Sequence, residues 1–338
     1  MNCFTLPEPP QHGRCCLFAF TQENSMSLLI VGTLAIDSLE TPFAKKENAL
    51  GGSATYIALS ASYFVPGENI SLVGVVGEDF PEHGWNLLKD KKFDISGVEV
   101  VKGGKTFFWA GKYHYDMNTR DTLVTDLNVL ADFKPKVPAH ITAPDFLVLG
   151  NVAPSLQHDV ITQLTKKPKL IICDTMNFWI TGARADLELT LSKSNALVLN
   201  DSEARLLVES PSLIHSGRKL QDMLSNDGPR IVIIKKGEHG ALLFYNEHFF
   251  SAPSYPLEEI FDPTGAGDTF MGGFIGYLSK RNSVAYDDVK RAVIYGTALA
   301  SYCCTKFSTE AIENLETGAI YERFLELQSL SRFEDDGV

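Results

Sequence analysis

The chain has little that would suit a disulfide scaffold, a nucleic-acid surface or a membrane. It holds six cysteines: Cys3, Cys15, Cys16, Cys173, Cys303 and Cys304. No pair has the C-x-x-C spacing of a zinc or redox site, and two pairs are adjacent, which is poor geometry for a disulfide. That usage points to free, packed thiols in a reducing compartment, and so to a cytoplasmic protein. Basic residues are in the minority: 30 Lys and Arg against 42 Asp and Glu give a net charge of −12. This balance carries no overall attraction for phosphate backbones and disfavours nucleic acid as a partner. It says nothing against a small phosphate ligand, because such sites are built locally from backbone amides. Long apolar runs are missing too. Stretches such as Phe146–Leu149 fall far short of a bilayer's width, so no membrane partner is expected.

What is present is globular. Apolar residues make up 44% and charged residues 21%, which excludes a wholly disordered or fibrous chain. The 338 residues suit two domains or one large α/β domain. Residues 1–25 differ from the rest, with Pro7, Pro9 and Pro10 before a short apolar stretch, Cys15 to Phe20. A secretory signal needs a basic start and a longer apolar core, and a mitochondrial peptide needs more Arg. These residues read as a disordered extension or a start codon placed too early, and the folded domain is expected over 26–338.

From Met26 onward, short apolar runs alternate with helical patterns. Strands are expected at Leu28–Val31, Ser71–Val76, Phe146–Leu149, Leu170–Cys173, Ala196–Leu199, Ile231–Ile234 and Ala241–Phe244. Helices are expected at Ser53–Phe64, Trp85–Lys91, Leu156–Thr165, Asp201–Val208 and Gly217–Leu224, then at Asp268–Lys280, Asp287–Cys304 and Gly318–Leu330. This order predicts an α/β fold, a three-layer α/β/α arrangement around a mainly parallel sheet. Residues 98–126 break the pattern: Phe107, Trp109, Gly111, Tyr113 and Tyr115 recur with a period of two. With 38–50 they suggest a small β-sheet whose aromatic face covers a ligand cleft as a lid, covers a second subunit, or packs on its own domain.

The stretch richest in chemistry is Asp262-Pro263-Thr264-Gly265-Ala266-Gly267-Asp268, at the start of an expected helix. Gly265 and Gly267 permit unusual backbone angles. With Ala266 they can aim amides at an anion beside the positive end of a helix dipole. A carboxylate at Asp268 is placed to take a proton from a hydroxyl attacking that phosphate. The competing reading is a plain helix-capping turn with Asp as N-cap. The dinucleotide fingerprint fails because Phe270 stands where a third glycine belongs, and a Walker loop ending at Gly104-Lys105-Thr106 fails at Glu99.

Here the residues resemble a family. Asp262-Pro263-Thr264-Gly265-Ala266-Gly267-Asp268-Thr269-Phe270 resembles the second signature of the ribokinase (PfkB) carbohydrate kinases. Gly51-Gly52 before a small-residue helix resembles the first signature. Asp174-Thr175-Met176-Asn177-Phe178-Trp179, Asn200-Asp201-Ser202-Glu203 and Lys236-Gly237-Glu238-His239-Gly240 resemble other segments in the family's order. The resemblance covers residues 26–330. It implies a ribokinase-like fold and an ATP-dependent kinase acting on a sugar hydroxyl, with ATP and Mg²⁺ as cofactors.

In that resemblance Asp268 is the base, and Gly265, Ala266 and Gly267 form the anion hole. Asp37 holds sugar hydroxyls, with the structural alternative of a turn residue. Gly51 and Gly52 let backbone approach the substrate and act as a lid hinge. Asn151 and Asn177 are further substrate contacts or strand-end caps. Asn200, Lys236, Gly237, Gly240 and Thr264 lie along the nucleotide, Lys236 alternatively as a solvated strand-end residue. Glu203 and Asn200 organise Mg²⁺, Glu203 alternatively as a helix N-terminal acid. In relatives the lid often forms a dimer contact, and the aromatic face of residues 107–115 allows such a homodimer without requiring it. Three departures stand out. Tyr56 occupies a position where the family often carries Asn, Pro263 replaces the commoner Thr or Ala, and Cys304–Ser308 lacks the glycine usual in a loop that binds K⁺. Potassium dependence is therefore not implied. The alternative acceptor is a nucleoside, with lid aromatics stacking on its base. A different class, a non-catalytic sugar- or nucleotide-binding regulator, is opposed by the intact Gly265, Gly267 and Asp268.

Overall fold

The fold is taken from a computed structural model, which describes residues 26–330 and Arg332. The expected extension over 1–25 lies outside these residues. In chain order the strands are β1 (Leu28–Val31), β2 (Ala35–Glu40), β3 (Lys45–Gly51), β4 (Ile70–Gly77), β5 (Asp94–Val101), β6 (Phe107–Tyr113), β7 (Arg120–Asp126), β8 (Phe146–Leu149), β9 (Leu170–Asp174), β10 (Ala196–Asn200), β11 (Ile231–Lys235), β12 (Ala241–Tyr245) and β13 (His248–Ala252). The helices are α1 (Ser53–Ala61), α2 (Glu82–Asp90), α3 (Pro154–Thr162), α4 (Asn177–Gly182), α5 (Arg184–Leu191), α6 (Asp201–Val208), α7 (Leu213–Gln221), α8 (Ala266–Arg281), α9 (Tyr286–Cys303) and α10 (Thr317–Leu330).

Nine strands form one sheet in the order β13-β12-β11-β10-β9-β8-β1-β4-β5, and four form a small sheet, β3-β2-β6-β7. From β11 to β5 the large sheet is parallel, and β12 and β13 add antiparallel strands at one end. Its strands are apolar on both sides because helices cover both sides. Within β1, Leu28 and Ile30 face a core shared with Ile57 of α1, Phe274 of α8 and Val293 of α9. Leu29 and Val31 face the other way, toward Val160 of α3. Farther along that second face, Leu197 and Val232 pack with Leu187, Leu207 and Leu220 of α5, α6 and α7.

All seven expected strands are present, and the three C-terminal helices follow as expected. The segment expected as lid over 98–126 needs correction. Residues 98–101 belong to β5, the edge of the large sheet, paired in parallel with β4. As an edge strand, β5 is only half-buried, so it lacks the apolar run that marks its neighbours. The small sheet begins at Phe107. β7 is exposed at every position and leaves the outer edge of that sheet unpaired. Helices α4 and α5 are short, and their patterns were not among the expected elements.

The order of chain connections reverses between β1 and β8: from β1 the chain moves outward to β4 and β5, then returns to β8 and proceeds the other way. In an open α/β sheet, ligands bind outside the carboxyl ends of the strands at such a switch point. The residues at or just past those ends are Thr33, Asn151, Asp174, Asn200 and Lys235. Helix α8 is pressed tightly onto α1 there, because a Cβ on Gly272 would fall 2.3 Å from the carbonyl oxygen of Ile57. Gly272→Ala should therefore cost about 1–3 kcal/mol in urea unfolding. Gly182→Ala, where a Cβ meets nothing within 4 Å, should change stability by less than about 0.5 kcal/mol.

Candidate active site

The turn before α8 is set by two side chains beneath it. Asp262 is fully buried, and its carboxylate accepts from the Thr264 amide at 2.9 Å and from the Ser308 amide at 2.9 Å. Gly265 then takes a left-handed conformation, φ 76°, as the N-cap of α8. A Cβ there would strike the ring of Tyr56, 2.3 Å away. Tyr56 thus fills the floor of the turn. It occupies the position where the resembling sequences often carry Asn, so its bulk replaces an amide with an aromatic surface.

Asp268 is not the N-cap of this helix, contrary to the capping alternative; it sits at the third helical position. The anion-hole expectation also needs adjustment. The Ala266 amide is spent on the Pro263 carbonyl at 3.2 Å. The free amides of this turn, among the described residues, are those of Gly265, Gly267 and Asp268. Gly267 is helical, so unlike Gly265 it is not required for backbone freedom. Its lack of a side chain leaves the place that the tip of Lys235 takes: a Cβ would lie 2.7 Å from Nζ, and the lysine would have to shift.

Around this turn the electrostatics are unusual. Burial pushes the Asp268 carboxyl up to about 6, while Lys235 and Arg120 pull it down and Glu203 pushes it up. Burial pushes Glu203 up, opposed chiefly by Lys235. Burial raises Asp174 well above the usual carboxylate range, opposed by Lys235 and reinforced by Asp268 and Glu203. Sequence reasoning quoted Asp174 only as part of a motif, and it missed Lys235 and Arg120. Lys235 ends a parallel strand one residue past the expected Ile231–Ile234. Polar residues just beyond such strands are the signal that would have found it. Arg120 opens β7 and reaches the cleft by folding of the small sheet, with its guanidinium 5.8 Å from the Trp109 ring centre.

Asn200 and Glu203 form a capping box at the start of α6. The Asn200 side-chain oxygen accepts from the Glu203 amide at 2.8 Å, and a Glu203 carboxylate oxygen accepts from the Asn200 amide at 2.7 Å. The Asn200 oxygen also accepts from Ser202 Oγ at 2.7 Å. With its oxygen occupied, Asn200 has only its side-chain NH₂ to offer a ligand, and that suits a phosphate rather than a cation. Glu203 retains one free carboxylate oxygen, a hard donor suited to Mg²⁺ carrying its own waters. Both alternatives for Glu203, helix acid and cation organiser, are compatible with this geometry.

On the other side of the cleft, Asp37 is buried on β2, and no described group hydrogen-bonds to its carboxyl. Gly51 of β3 lies so close that a Cβ would sit 2.0 Å from an Asp37 oxygen. Gly52, φ 95°, packs on the Thr33 carbonyl, where a Cβ would be 2.3 Å away. Burial, then Asp262 and Asp268, push Asp37 up to about 8. Asp37 is thus buried in the cleft and senses Asp268, which is more than its alternative as a turn residue requires. Asn151 is engaged with its neighbours: its oxygen accepts from Trp179 Nε1 at 2.9 Å, and its NH₂ points to Met176 Sδ at 3.2 Å. Asn177 is exposed at the first position of α4.

The small sheet is docked over the cleft at two points. Thr264 Oγ1 donates to Tyr113 Oη at 3.0 Å, tying β6 to the α8 turn. At the tip of the β6–β7 hairpin, Asn118 lies against Gly237, where a Cβ would be 2.6 Å from Asn118 Oδ1. Gly237 and Gly240 both have positive φ, 54° and 80°, and shape the turn after Lys236. Lys236 itself makes a backbone bond to the Gly240 carbonyl at 2.7 Å. No helix among the described residues is long and apolar enough to cross a membrane.

Residues 37–316 match the model of the pfkB family carbohydrate kinases. A cytidine kinase of Thermococcus kodakarensis is 28% identical over 260 residues, 75% of this chain and 89% of that protein. A nucleoside kinase of Methanothermobacter thermautotrophicus is 24% identical over 328 residues, 88% of this chain and 95% of that protein. The solved fructokinase of Vibrio cholerae, in its fructose-, ADP- and calcium-bound form, superposes with a TM-score of 0.71 at 16% identity, covering 89% of this chain and 100% of that one.

Two outcomes follow from the buried carboxyls. The Asp37 carboxyl keeps its proton in the folded chain up to about pH 8 but loses it in the unfolded chain above its ordinary value of 3.8. The unfolded state then binds fewer protons, so stability falls as pH rises between those values. Asp37→Asn removes that cost and should raise Tm by several degrees at pH 8, with a smaller gain at pH 5, in thermal melts. For Asp268, activity as a base requires the ionised carboxylate. kcat/KM should therefore climb with pH to a plateau above about 6, read from a pH–rate profile.

Proposed function

The chain belongs to the pfkB family of carbohydrate kinases and is a phosphotransferase with an alcohol acceptor; from that premise we propose that it is an ATP-dependent kinase whose acceptor is the sugar hydroxyl of a nucleoside. The observation that carries the acceptor class is the pairing of Asp37 with Trp109. These residues are direct partners across β2 and β6, so their side chains share one face of the small sheet. A carboxyl there, protonated below about pH 8, can donate to one and accept from the other of a pair of vicinal hydroxyls. An indole beside it offers a plane for a nucleobase. Gly111 makes room for that plane, since a Cβ would fall 2.1 Å from the Trp109 ring. The broad coverage of the chain by the cytidine and nucleoside kinases named above supports the same acceptor over a free sugar.

In this reading Asp268 takes the proton from the acceptor hydroxyl as its oxygen attacks the γ-phosphorus. The free amides of Gly265, Gly267 and Asp268 hold the charge that develops on the transferred group. Asn200, Gly237 and Gly240 border the nucleotide. Glu203 would hold Mg²⁺ through water, and the ion would supply charge neutralisation between the phosphates. The small sheet, docked through Tyr113 and Asn118, excludes water that would otherwise accept the phosphoryl group.

Asp268→Asn should lower kcat by about 10³-fold or more while leaving ATP binding within about threefold. Turnover retained by that variant would refute the mechanism. A coupled ADP-release assay with Mg·ATP against cytidine, uridine, adenosine, inosine, ribose and fructose separates the acceptor classes. Nucleosides are expected to be turned over with kcat/KM at least about tenfold above ribose. Trp109→Ala should raise KM for the nucleoside by about tenfold and leave that for ribose unchanged.

A further inference from the structure

Lys235 stands at the carboxyl end of β11, beside Asn200 across the β10–β11 pair. Its ammonium rests on the first turn of α8, close enough that a Cβ on Gly267 would lie 2.7 Å from Nζ. Three carboxylates, Asp174, Glu203 and Asp268, feel its charge. Even so, Lys235 makes no side-chain hydrogen bond and no ion pair among the described residues, while exposed lysines such as Lys45 and Lys112 do. A half-buried ammonium with three donors and no direct partner has open capacity for an anion. That anion would meet the free amides of Gly265, Gly267 and Asp268 at the same place.

We propose that Lys235 is a catalytic residue that grips the phosphoryl group of ATP as it passes to the acceptor. This rests on the kinase reading above and deepens it, by adding a side-chain cation to a hole otherwise made of backbone amides. The acceptor oxygen forms the new bond to the γ-phosphorus, and the bond from that phosphorus to the β,γ-bridging oxygen breaks. The acceptor proton passes to Asp268, and the electron pair leaves with ADP. A point charge beside the transferred group counts most where negative charge is spread over its three oxygens. Before ATP arrives, the same ammonium offsets the repulsion among Asp174, Glu203 and Asp268. A methyl at 267 would make the ammonium shift from this position.

The test compares Lys235→Met, Lys235→Arg and Gly267→Ala with the wild type in two measurements. The first is calorimetric binding of Mg·AMP-PNP and of Mg·ADP with no acceptor present. Lys235→Met should lose about tenfold in AMP-PNP affinity and keep ADP affinity within about threefold. The second is steady-state turnover with a nucleoside acceptor. Lys235→Met should lower kcat by about 10²-fold with acceptor KM changed by less than about threefold, and Lys235→Arg should recover part of the loss. Gly267→Ala should show the same selective loss of AMP-PNP affinity, and adding Lys235→Met to it should cost little more. Equal losses for AMP-PNP and ADP, or a Lys235→Met kcat within threefold of wild type, would overturn the proposal. If Lys235→Met does not fold, Lys235→Gln carries the same comparison. A wild type that binds both nucleotides but phosphorylates no nucleoside would defeat the acceptor assignment alone, since the binding comparison needs no acceptor.

Discussion

Four carboxyl groups, Asp37, Asp174, Glu203 and Asp268, share a cleft whose burial raises the proton affinity of every one of them. Buried like charges repel, and dry surroundings strengthen the repulsion. The rest of the site is arranged around that constraint. Lys235 ends its strand among three of the four. Arg120 arrives from the small sheet. The free amides of α8 point positive partial charge into the same space. A chain of net charge −12 can hold an anionic ligand here because the positive field is local, made by two side chains and one helix end.

The cleft exists because the large sheet reverses its order between β1 and β8. Parallel strands bring their carboxyl ends to one edge, so residues as far apart in sequence as Asp174, Asn200 and Lys235 become neighbours. Helix α8 is then held to that edge by glycines that let α1 approach, and its first turn is shaped by buried Asp262 and by the ring of Tyr56. These supports lie beneath the turn, and each sets where the amides and Asp268 point. The small sheet completes the enclosure from above through Tyr113 and Asn118, far apart from their partners Thr264 and Gly237 in sequence.

Stability and activity pull in opposite directions at this edge. Asp37 is buried with no hydrogen bond to its carboxyl, an arrangement that costs folding free energy and leaves both oxygens ready for an acceptor's hydroxyls. The same holds for Lys235, whose ammonium has no direct partner. Their neighbours are paired: Asp262 with two amides, and Asn200 with Glu203 in a capping box.

Much of this was readable from residues alone. The apolar runs located all seven strands expected of the large sheet, because strands buried on both faces must be apolar throughout. The Asp262–Asp268 stretch marked the turn to which the proposal assigns the chemistry, because only a few residue types can make a left-handed entry to a helix followed by a carboxylate. Edge strand β5 escaped notice, since an edge is only half-buried and keeps no continuous apolar signal. What the chain's order could not decide was pairing at a distance. Local sequence puts Gly267 in the turn as a source of backbone freedom, whereas packing shows it as the space in which Lys235 rests. Local sequence counts Ala266 among the anion-binding amides, whereas the folded turn spends that amide on Pro263. It singles out Lys236 and overlooks Lys235, because only the register of β11 against β10 fixes which lysine stands at the strand end beside Asn200. The sequence by itself determined seven strands of the large sheet, the long C-terminal helices and the Asp262–Asp268 turn, through short-range patterning. The tertiary structure alone decided the electrostatics of the cleft, because charge interactions depend on distance in space and on burial, and neither is written in neighbouring residues.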